Sequence, residues 1–290
     1  MYFDPSINRK KKIVTKSLSE FKTNKGPLPA IIEISESGMC NRKCSFCPRS
    51  DPDYNHVNEF ISFLLIEKLG GELSQLNFEN RILFSGFVEP LLDKKLYEKI
   101  KLLKNYLPKS KIEINTNGDV LNKIRLIKLF ENGVDVLLIS VYDSKEDADK
   151  FEKLCIDTGL SENQYVIRHR YYTEENDFGI TLSNRAGMMN NADFSIKSLK
   201  DPLTSPCYYP SYTFFLDYQG DVLMCPHDWG KKLILGNLNK QSFSEIWYSK
   251  KALMIRKKLN SGNRKIKPCD VCDVKGTYIG KEYADSWEKI

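Results

Sequence analysis

The sequence predicts an α/β fold, a partial (β/α)6 TIM-type barrel followed by a small C-terminal module. Three observations support this prediction: short apolar runs alternate with amphipathic ones, polar side chains follow several apolar runs, and seven of the eight cysteines fall into an early and a late group. Strands that alternate with helices pair in parallel through crossover connections, and the functional residues of such barrels gather at the carboxyl ends of the strands.

The predicted strands are short apolar runs, and the predicted helices are amphipathic stretches between them. The strands lie at Ala30–Ser35, Arg81–Ser85, Lys111–Asn115, Val134–Val141, Gln164–Arg170 and Ala192–Lys197. The helices lie at Glu59–Leu69, Lys94–Tyr106, Asn122–Glu131 and Lys145–Cys155. About six strand and helix units of this kind form an open barrel.

The chain divides into three predicted parts. Residues 1–29 form a basic N-terminal extension, residues 30–200 form the barrel, and residues 201–290 form the C-terminal module. The boundary falls at Asp201–Pro206, because the two prolines of this stretch interrupt regular structure.

Composition favours a cytoplasmic protein with a substantial core. Of the 290 residues, 41% are hydrophobic, no apolar run reaches the length of a membrane span, and residues 1–6 lack the features of a signal peptide. The net charge is +6, but the basic residues are spread among 38 acidic ones, so no nucleic-acid partner is indicated. The dense basic run Arg9–Lys12 is expected to be a solvated terminal segment.

An early loop carries three thiols with metal-binding spacing. Cys40, Cys44 and Cys47 form the pattern C-x3-C-x2-C, and polar residues between them prevent the loop from burying all three as packing residues. Soft thiolates suit an iron–sulfur cluster, and three of them leave one iron of a four-iron cluster open to a small molecule. The spacing therefore indicates a catalytic cluster.

This loop, its aromatic Phe46 and the preceding strand Ala30–Ser35 resemble the radical S-adenosylmethionine (radical SAM) superfamily. The resemblance implies that the open iron binds the amino and carboxylate groups of SAM. It also implies that one electron from the cluster cleaves SAM to a 5′-deoxyadenosyl radical, which abstracts hydrogen from the substrate. A reducing partner such as flavodoxin or ferredoxin would supply the electron.

Four later cysteines form a second group. They are Cys207, Cys225, Cys269 and Cys272. Cys207 and Cys225 flank a predicted hairpin of Tyr212–Asp217 and Asp221–Met224, with Gly220 at the turn. By spacing alone, both a structural zinc site and an iron–sulfur cluster remain open.

The spacing C-x12-G-x4-C followed by C-x2-C, with Gly236–Trp247 in between, is similar to the SPASM/twitch extension of radical SAM enzymes. This resemblance implies an auxiliary four-iron cluster, so that the expected cofactors are two [4Fe-4S] clusters and SAM. No cysteine follows Cys272, which favours the shorter twitch form with four protein ligands. The remaining Cys155 has core spacing within a predicted helix and is interpreted as a packing residue.

Several residues near the strand ends correspond to SAM contacts of the family. The segment Phe84–Asp93 resembles the GGE segment that binds the amino group of SAM, which implicates Gly86 and Glu89, although Phe87 and Val88 replace the usual small residues. The flat side chain of Phe46 would flank adenine.

Asn117 follows the third predicted strand and Ser140 lies at the end of the fourth, at places where family members bind ribose hydroxyls. Asn-Gly turns and serine caps are common structural features, so a purely structural role for both residues also stays open.

Two arginines are candidates for charge recognition. Arg168 and Arg170 share one face of the fifth predicted strand, and Arg170 is the candidate partner of the SAM carboxylate, unless both arginines form surface ion pairs with Glu174 and Glu175. The segment Asn184–Gly187 resembles one that precedes the auxiliary cysteines in some twitch-bearing enzymes. Arg185 is therefore the candidate catalytic residue that contacts the substrate.

The sequence predicts a two-cluster radical SAM oxidoreductase that oxidises a secondary alcohol of a small sugar or aminocyclitol. About thirty residues precede the first strand, which is too few for the added recognition domain of many peptide-modifying relatives. The open alternatives are a ribosomal peptide maturase, a redox-neutral epimerase or rearrangement enzyme, and a zinc-stabilised binding module without enzymatic activity.

Overall fold

The computed structural model describes residues 5–20, 22–23, 25–171, 182–189 and 196–289. Most of the predicted strand Ala192–Lys197, together with Glu174 and Glu175, lies outside the described residues. No helix in the described part of the chain has both the length and the apolar character needed to span a bilayer.

The described elements alternate as predicted. The strands are β1 (Lys22–Thr23), β2 (Gly26–Pro27), β3 (Ile31–Ser35), β4 (Arg81–Phe84), β5 (Lys111–Thr116), β6 (Val136–Val141), β7 (Tyr165–His169), β8 (Thr213–Asp217), β9 (Asp221–Leu223) and β10 (Ile234–Asn237). The helices are α1 (Pro5–Glu20), α2 (Phe63–Gln75), α3 (Leu96–Tyr106), α4 (Lys123–Glu131), α5 (Lys145–Asp157), α6 (Tyr209–Tyr212), α7 (Phe243–Trp247), α8 (Lys250–Asn260) and α9 (Lys281–Trp287).

The main sheet has the strand order β10-β9-β8-β3-β4-β5-β6-β7. Strands β8, β3, β4, β5, β6 and β7 run parallel to one another in this order. Strand β9 pairs antiparallel with β8, and β10 pairs antiparallel with β9. The prediction of an open, partial barrel is confirmed, because β7 and β10 lie at opposite edges of the sheet. The predicted hairpin is also confirmed, and its first strand, β8, joins the barrel by pairing with β3.

The two faces of the barrel differ in polarity. The outer face is apolar and packs against α2 to α5 through residues such as Ile32, Ile82, Ile114 and Leu137. Alternate residues of the same strands point inward, and several of them are polar, including Glu33, Ser85, Glu113, Asn115 and Arg168. A polar barrel interior is suited to a polar ligand, because buried polar groups need hydrogen-bond partners.

The first residue of a helix differs from the prediction where a capping side chain determines the start of the helix. Helix α2 begins at Phe63 instead of Glu59 because the Ser62 hydroxyl accepts a hydrogen bond from the Leu65 amide at 3.1 Å. Phe60 instead forms a bridge with Ser37 beside the barrel. Cys155 is fully buried in the core, as predicted for a packing residue.

The N-terminal basic run is not a solvated segment, so that prediction is wrong. It lies in α1, whose Arg9 donates two hydrogen bonds to the Glu113 carboxylate in the barrel, at 2.9 and 2.5 Å. The ammonium of Lys10 lies 5.3 Å from the centre of the Tyr209 ring. Lys11 and Lys12 are exposed as expected. Spacing within the run did not reveal that α1 turns one face toward the barrel.

The buried residues of α1 identify the face of the helix that packs against the barrel. Val14 is fully buried against Tyr283 of α9, and Ile7 and Leu18 are half-buried in the same cluster. The helix therefore covers the barrel on the side where β3 begins, since Ile31 belongs to this cluster too.

The C-terminal helices pack against the rest of the fold. Trp247 is buried, and its indole nitrogen donates to the Pro27 carbonyl at 3.0 Å. The Arg256 guanidinium lies between the rings of Trp247 and Trp287, at 3.8 and 4.2 Å from their centres. These contacts hold the segment that carries the late cysteines against the barrel.

Candidate active site

The early cysteine loop follows β3 and is joined by Arg42 to the segments that follow β5 and β6. The guanidinium donates to the Asp119 carboxylate at 2.7 and 2.5 Å and to the Asp143 carboxylate at 3.0 and 2.6 Å. Asp119 follows β5 and Asp143 follows β6. The predicted gathering of functional residues at the carboxyl ends of the strands is therefore found in the structure.

A second arginine, Arg49, supports the same loop from inside. Its side chain is buried, and it donates to the Phe87 carbonyl at 2.8 and 2.5 Å and to the Gly38 carbonyl at 2.9 Å. The guanidinium also lies 5.1 Å from the centre of the Tyr54 ring. Arg49 thus joins the cysteine loop to the segment after β4.

The three early thiols are suited to a cluster. The Cys40 sulfur accepts hydrogen bonds from the Arg42 amide at 3.5 Å and from the Asn117 side chain at 4.0 Å. Burial raises the pKa of Cys40 and Cys47, and it raises that of Cys44 to about 11. Thiols in such surroundings ionise when a metal binds them, so these residues fit a metal cluster.

The late thiols lie together in the C-terminal segment. Burial raises the pKa of Cys225 far above its usual range, and the charges of Cys207, Cys272 and Cys269 raise it further. Burial also raises the pKa of Cys269 to about 12. The Cys225 sulfur accepts a hydrogen bond from the His227 amide at 3.4 Å. The four thiols are therefore within electrostatic reach of one another.

Arg264 and Gly276 complete the surroundings of Cys207. Arg264 is buried and donates to the Pro206 carbonyl at 2.8 Å and to the Val274 carbonyl at 2.6 Å, so it joins the segments that carry Cys207 and Cys272. Gly276 has a φ of 67°, and a Cβ there would lie 2.5 Å from the Cys207 sulfur. Only glycine allows the backbone to approach this thiol so closely.

Among the described residues, no three His, Cys, Asp or Glu side chains form a group that could hold a single metal ion. In a four-iron cluster each thiolate binds a different iron, whereas all ligands of a zinc site bind the same ion.

Glu89 is buried at the end of β4, where it links three segments. Its carboxylate accepts hydrogen bonds from the Thr116 hydroxyl at 2.6 Å, the Asn117 amide at 2.7 Å and the Leu91 amide at 3.0 Å. Its own amide donates to the Met39 carbonyl at 2.9 Å. Since a carboxylate has four acceptor positions, one remains for a ligand, and the predicted contact with SAM stays a prediction.

The segment after β4, which resembles the GGE segment of the family, has Phe87 where a small residue is expected. The structure accounts for both Gly86 and Phe87. Phe87 packs between Phe215 and Trp229, with ring centres 4.9 and 4.5 Å away, so it fills a space in the fold. Gly86 has a φ of 93°, and a Cβ there would lie 3.0 Å from the side chains of Ser35 and Phe215. Only glycine fits this position without displacement of its neighbours.

We therefore expect Gly86→Ala to lower the free energy of unfolding by about 2–4 kcal/mol, from backbone strain and crowding together. Gly159→Ala is the matched control, because Gly159 has a φ of 83° but no atom within 4 Å of a built Cβ. That variant should lose only about 1–2 kcal/mol. Urea denaturation of both variants checks this, and equal losses would show that the close approach at Gly86 is unimportant.

Asn117 and Ser140 lie where predicted, but both have structural partners. Asn117 is buried and its side chain donates to Asn41 of the cysteine loop at 2.9 Å. Ser140 is buried inside the barrel, donates to Asn115 at 3.0 Å and accepts from Arg168 at 3.1 Å. Asn117 also lines a cavity of about 250 Å³ beside the cysteine loop, whereas Ser140 does not.

Phe46 packs against Tyr142, and the charge of Arg170 acts on the same tyrosine. The rings of Phe46 and Tyr142 are 5.2 Å apart, and Tyr142 lines the same cavity as Asn117. Burial raises the pKa of Tyr142, and the charges of Arg168 and Arg170 partly offset this effect. Arg170 is buried and its amide donates to the Val141 carbonyl at 2.7 Å. Tyr142 is a candidate contact that the sequence analysis missed.

The charge of Arg185 acts on residues of both cysteine groups. Burial raises the pKa of Cys47, and the Arg185 charge partly offsets it. Burial lowers the pKa of His227 to about 3, and the charges of Arg185 and Lys10 lower it further. His227 follows the late Cys225, so Arg185 is within electrostatic reach of both thiol sites. Its Nε atom is buried without a hydrogen-bond partner.

The backbone at Arg185 is strained. Arg185 and Ala186 have φ angles of 46° and 52°, which non-glycine residues seldom adopt. The turn is held by the fully buried Asn184, whose side chain donates to the Val271 carbonyl at 2.6 Å and whose amide donates to Asp273 at 2.9 Å. Strain that is fixed by buried contacts is typical of functional sites.

Comparisons with known proteins agree with this geometry. A family model described as the radical SAM superfamily matches residues 34–176, and one described as SPASM, an iron-sulfur cluster-binding domain, matches residues 207–273. The chain belongs to the radical SAM superfamily. The first match contains the early cysteine loop, and the second contains all four late cysteines. This radical SAM protein is therefore an enzyme whose cofactors are SAM and two four-iron clusters, as predicted.

Individual radical SAM proteins match almost the whole chain. The S-adenosyl-L-methionine-dependent 2-deoxy-scyllo-inosamine dehydrogenase of Niallia circulans is 29% identical over 255 residues, which are 88% of this chain and 96% of the dehydrogenase. BtrN in complex with AdoMet and 2-DOIA has a TM-score of 0.71 at 28% identity, covering 88% of this chain and 98% of BtrN. BtrN in an open conformation has a TM-score of 0.65 at 26% identity, covering 88% and 97%.

Proposed function

We propose that this enzyme oxidises a secondary alcohol of a small sugar or aminocyclitol to a ketone. The observation that supports this most strongly is Arg185, a cation held in a strained turn within electrostatic reach of Cys47 and of His227, which follows Cys225. The similar dehydrogenase acts, by its name, on 2-deoxy-scyllo-inosamine, and it supplies the substrate class. Two cluster sites within reach of one cation favour a net oxidation over a redox-neutral rearrangement.

The residues at the carboxyl ends of the strands are proposed to hold SAM. Cys40, Cys44 and Cys47 would bind its cluster. The proposed contacts with SAM itself are Phe46, Gly86, Glu89, Asn117, Ser140 and Arg170. The free acceptor position of Glu89 suits an ammonium group, and the cavity beside Phe46 and Tyr142 suits a nucleoside.

The late thiols Cys207, Cys225, Cys269 and Cys272 would hold the auxiliary cluster. When bound, SAM with its cluster supplies a hydrogen-abstracting radical, and the auxiliary cluster supplies an acceptor for the second electron.

Arg185 would position the substrate hydroxyl and stabilise the negative charge that develops on oxygen as the hydroxyl proton passes to solvent water. Its partly buried surroundings strengthen this interaction because water competes less for the guanidinium. The buried ring of Phe87, packed against Phe215 and Trp229, keeps water from the segment after β4.

The test is product analysis with 2-deoxy-scyllo-inosamine. Anaerobically reconstituted enzyme, SAM and dithionite should yield a product two hydrogens lighter, with one 5′-deoxyadenosine formed per product. Arg185→Met should still cleave SAM but oxidise the cyclitol at least about a hundredfold more slowly. An isomer of unchanged mass would show an epimerase or rearrangement enzyme instead, and mass spectrometry distinguishes the two results.

We also propose a flavodoxin or ferredoxin as the electron donor and the cytoplasm as the location. All eight cysteines are free, which agrees with a reducing compartment.

A further inference from the structure

The barrel interior contains a cavity on the side covered by α1. Its volume is about 180 Å³, and its lining includes Lys10 of α1, Glu33 of β3, Ser85 and Asn115. The nucleoside cavity proposed above has a different lining, at the carboxyl ends of the strands. The two linings share no residue, and α1 forms one wall of the interior cavity.

Lys10 is held in this wall by aromatic rings. Its ammonium lies 5.3 Å from the centre of the Tyr209 ring and 5.5 Å from that of Tyr212. Both tyrosines belong to α6, directly after Cys207. Lys10 and Glu33 line the same cavity. Burial lowers the pKa of Lys10, and the charge of Glu33 opposes this effect. The rings restrict the lysine and leave its N–H donors for hydrogen bonds.

Glu33 offers the complementary group. It is 7% exposed, and its Oε1 atom accepts a hydrogen bond from the Ser85 hydroxyl at 2.6 Å. Its Oε2 atom makes no hydrogen bond with any described residue in the structure. A cation and an anion that face one cavity match a hydroxyl group, which both donates and accepts.

We propose that Lys10 and Glu33 bind hydroxyl groups of the substrate, with one hydroxyl donating to the Glu33 carboxylate and accepting from the Lys10 ammonium. This inference rests on the proposed function and extends it: the N-terminal helix supplies part of the substrate site. The pair would recognise the side of a cyclitol that is remote from the oxidised carbon.

The anchoring of α1 fits this role. Arg9, beside Lys10, makes the paired hydrogen bonds to Glu113 at 2.9 and 2.5 Å, so the helix is fixed to the barrel at the position of the lysine. A fixed donor loses less entropy when it binds substrate than a mobile surface lysine does. If Lys10 only balanced the charge of Glu33, its removal would affect stability but not the KM for substrate.

The experiment compares Lys10→Met with Lys12→Met, since Lys12 is exposed on the same helix. With 2-deoxy-scyllo-inosamine, Lys10→Met should raise KM at least about tenfold, because a hydrogen bond to a charged group is lost. Its rate of 5′-deoxyadenosine formation without substrate should equal that of the wild type. Lys12→Met should leave both values unchanged. An unchanged KM in Lys10→Met would overturn the assignment.

Two further measurements separate this inference from the proposed function. Glu33→Gln tests the site if Lys10→Met does not fold, and an unchanged KM in Glu33→Gln would likewise overturn the inference. If the wild type does not oxidise 2-deoxy-scyllo-inosamine, the proposed substrate is wrong. Acetic anhydride labelling of the holoenzyme with SAM and a panel of inositols then decides the inference: protection of Lys10 but not Lys12 supports it, and no protection by any inositol overturns it.

Discussion

Replacement of Cys40, Cys44 and Cys47 together by alanine is expected to lower the iron content from about eight to about four atoms per chain. The same variant should form no 5′-deoxyadenosine, because these thiols hold the cluster that binds SAM. Iron quantitation and chromatographic assay of 5′-deoxyadenosine after anaerobic reconstitution measure both effects. The loss of SAM cleavage should be complete, since the open iron has no substitute among the other cysteines.

Cys155→Ala is the matched control for this experiment. Cys155 is fully buried in the core and belongs to neither thiol group. The variant should keep about eight irons and full SAM cleavage, although its stability falls by about 1–2 kcal/mol through loss of a buried side chain. Iron loss in Cys155→Ala, or retention of about eight irons in the triple variant, would contradict the assignment of ligands.

Removal of the auxiliary site should separate two activities that the first experiment abolishes together. We expect Cys269→Ala combined with Cys272→Ala to retain about four irons and substrate-independent SAM cleavage, but to lose oxidation of the alcohol. The early loop is held by Arg42 and Arg49, neither of which contacts these cysteines. The SAM site should therefore survive the change.

Iron and zinc are measured in the same samples, with circular dichroism as the test of folding. Stoichiometric zinc in the wild-type protein in place of the second cluster would contradict the account of this site. So would undiminished alcohol oxidation by the double variant, because the second electron would then need another acceptor.

The strands β3 to β7, the hairpin of β8 and β9, the helices α2 to α5 and both cysteine groups could be predicted from sequence because each depends on local pattern. Apolar runs such as Val136–Val141 are buried along their whole length, and the thiol spacing is set by short loops. Helix ends were less predictable, since the Ser62 cap competes with apolar periodicity one turn earlier. The role of β8 in the barrel depends on pairing with β3, which is distant in sequence.

The arginines that organise the site could not be predicted, because their partners are distant in sequence. Arg42 reaches Asp119 and Asp143, Arg49 reaches Phe87, and Arg264 reaches the carbonyl groups beside Cys207. A basic residue near a cysteine in sequence indicates that its charge can act on the thiol, but it does not identify the hydrogen-bond partners of that residue. The role of Lys10 was not predicted for a similar reason. The high charge of the N-terminal run indicated a solvated segment, although one face of α1 packs against the barrel.

The most direct test of the proposed oxidation is deuterium transfer from the substrate. We expect 2-deoxy-scyllo-inosamine that carries deuterium on its carbinol carbons to deliver one deuterium into 5′-deoxyadenosine for each ketone formed. Mass spectrometry of both products, at matched times and with unlabelled substrate as the control, gives the ratio. Ketone formation with unlabelled 5′-deoxyadenosine would contradict hydrogen abstraction from the alcohol carbon, and with it the central claim.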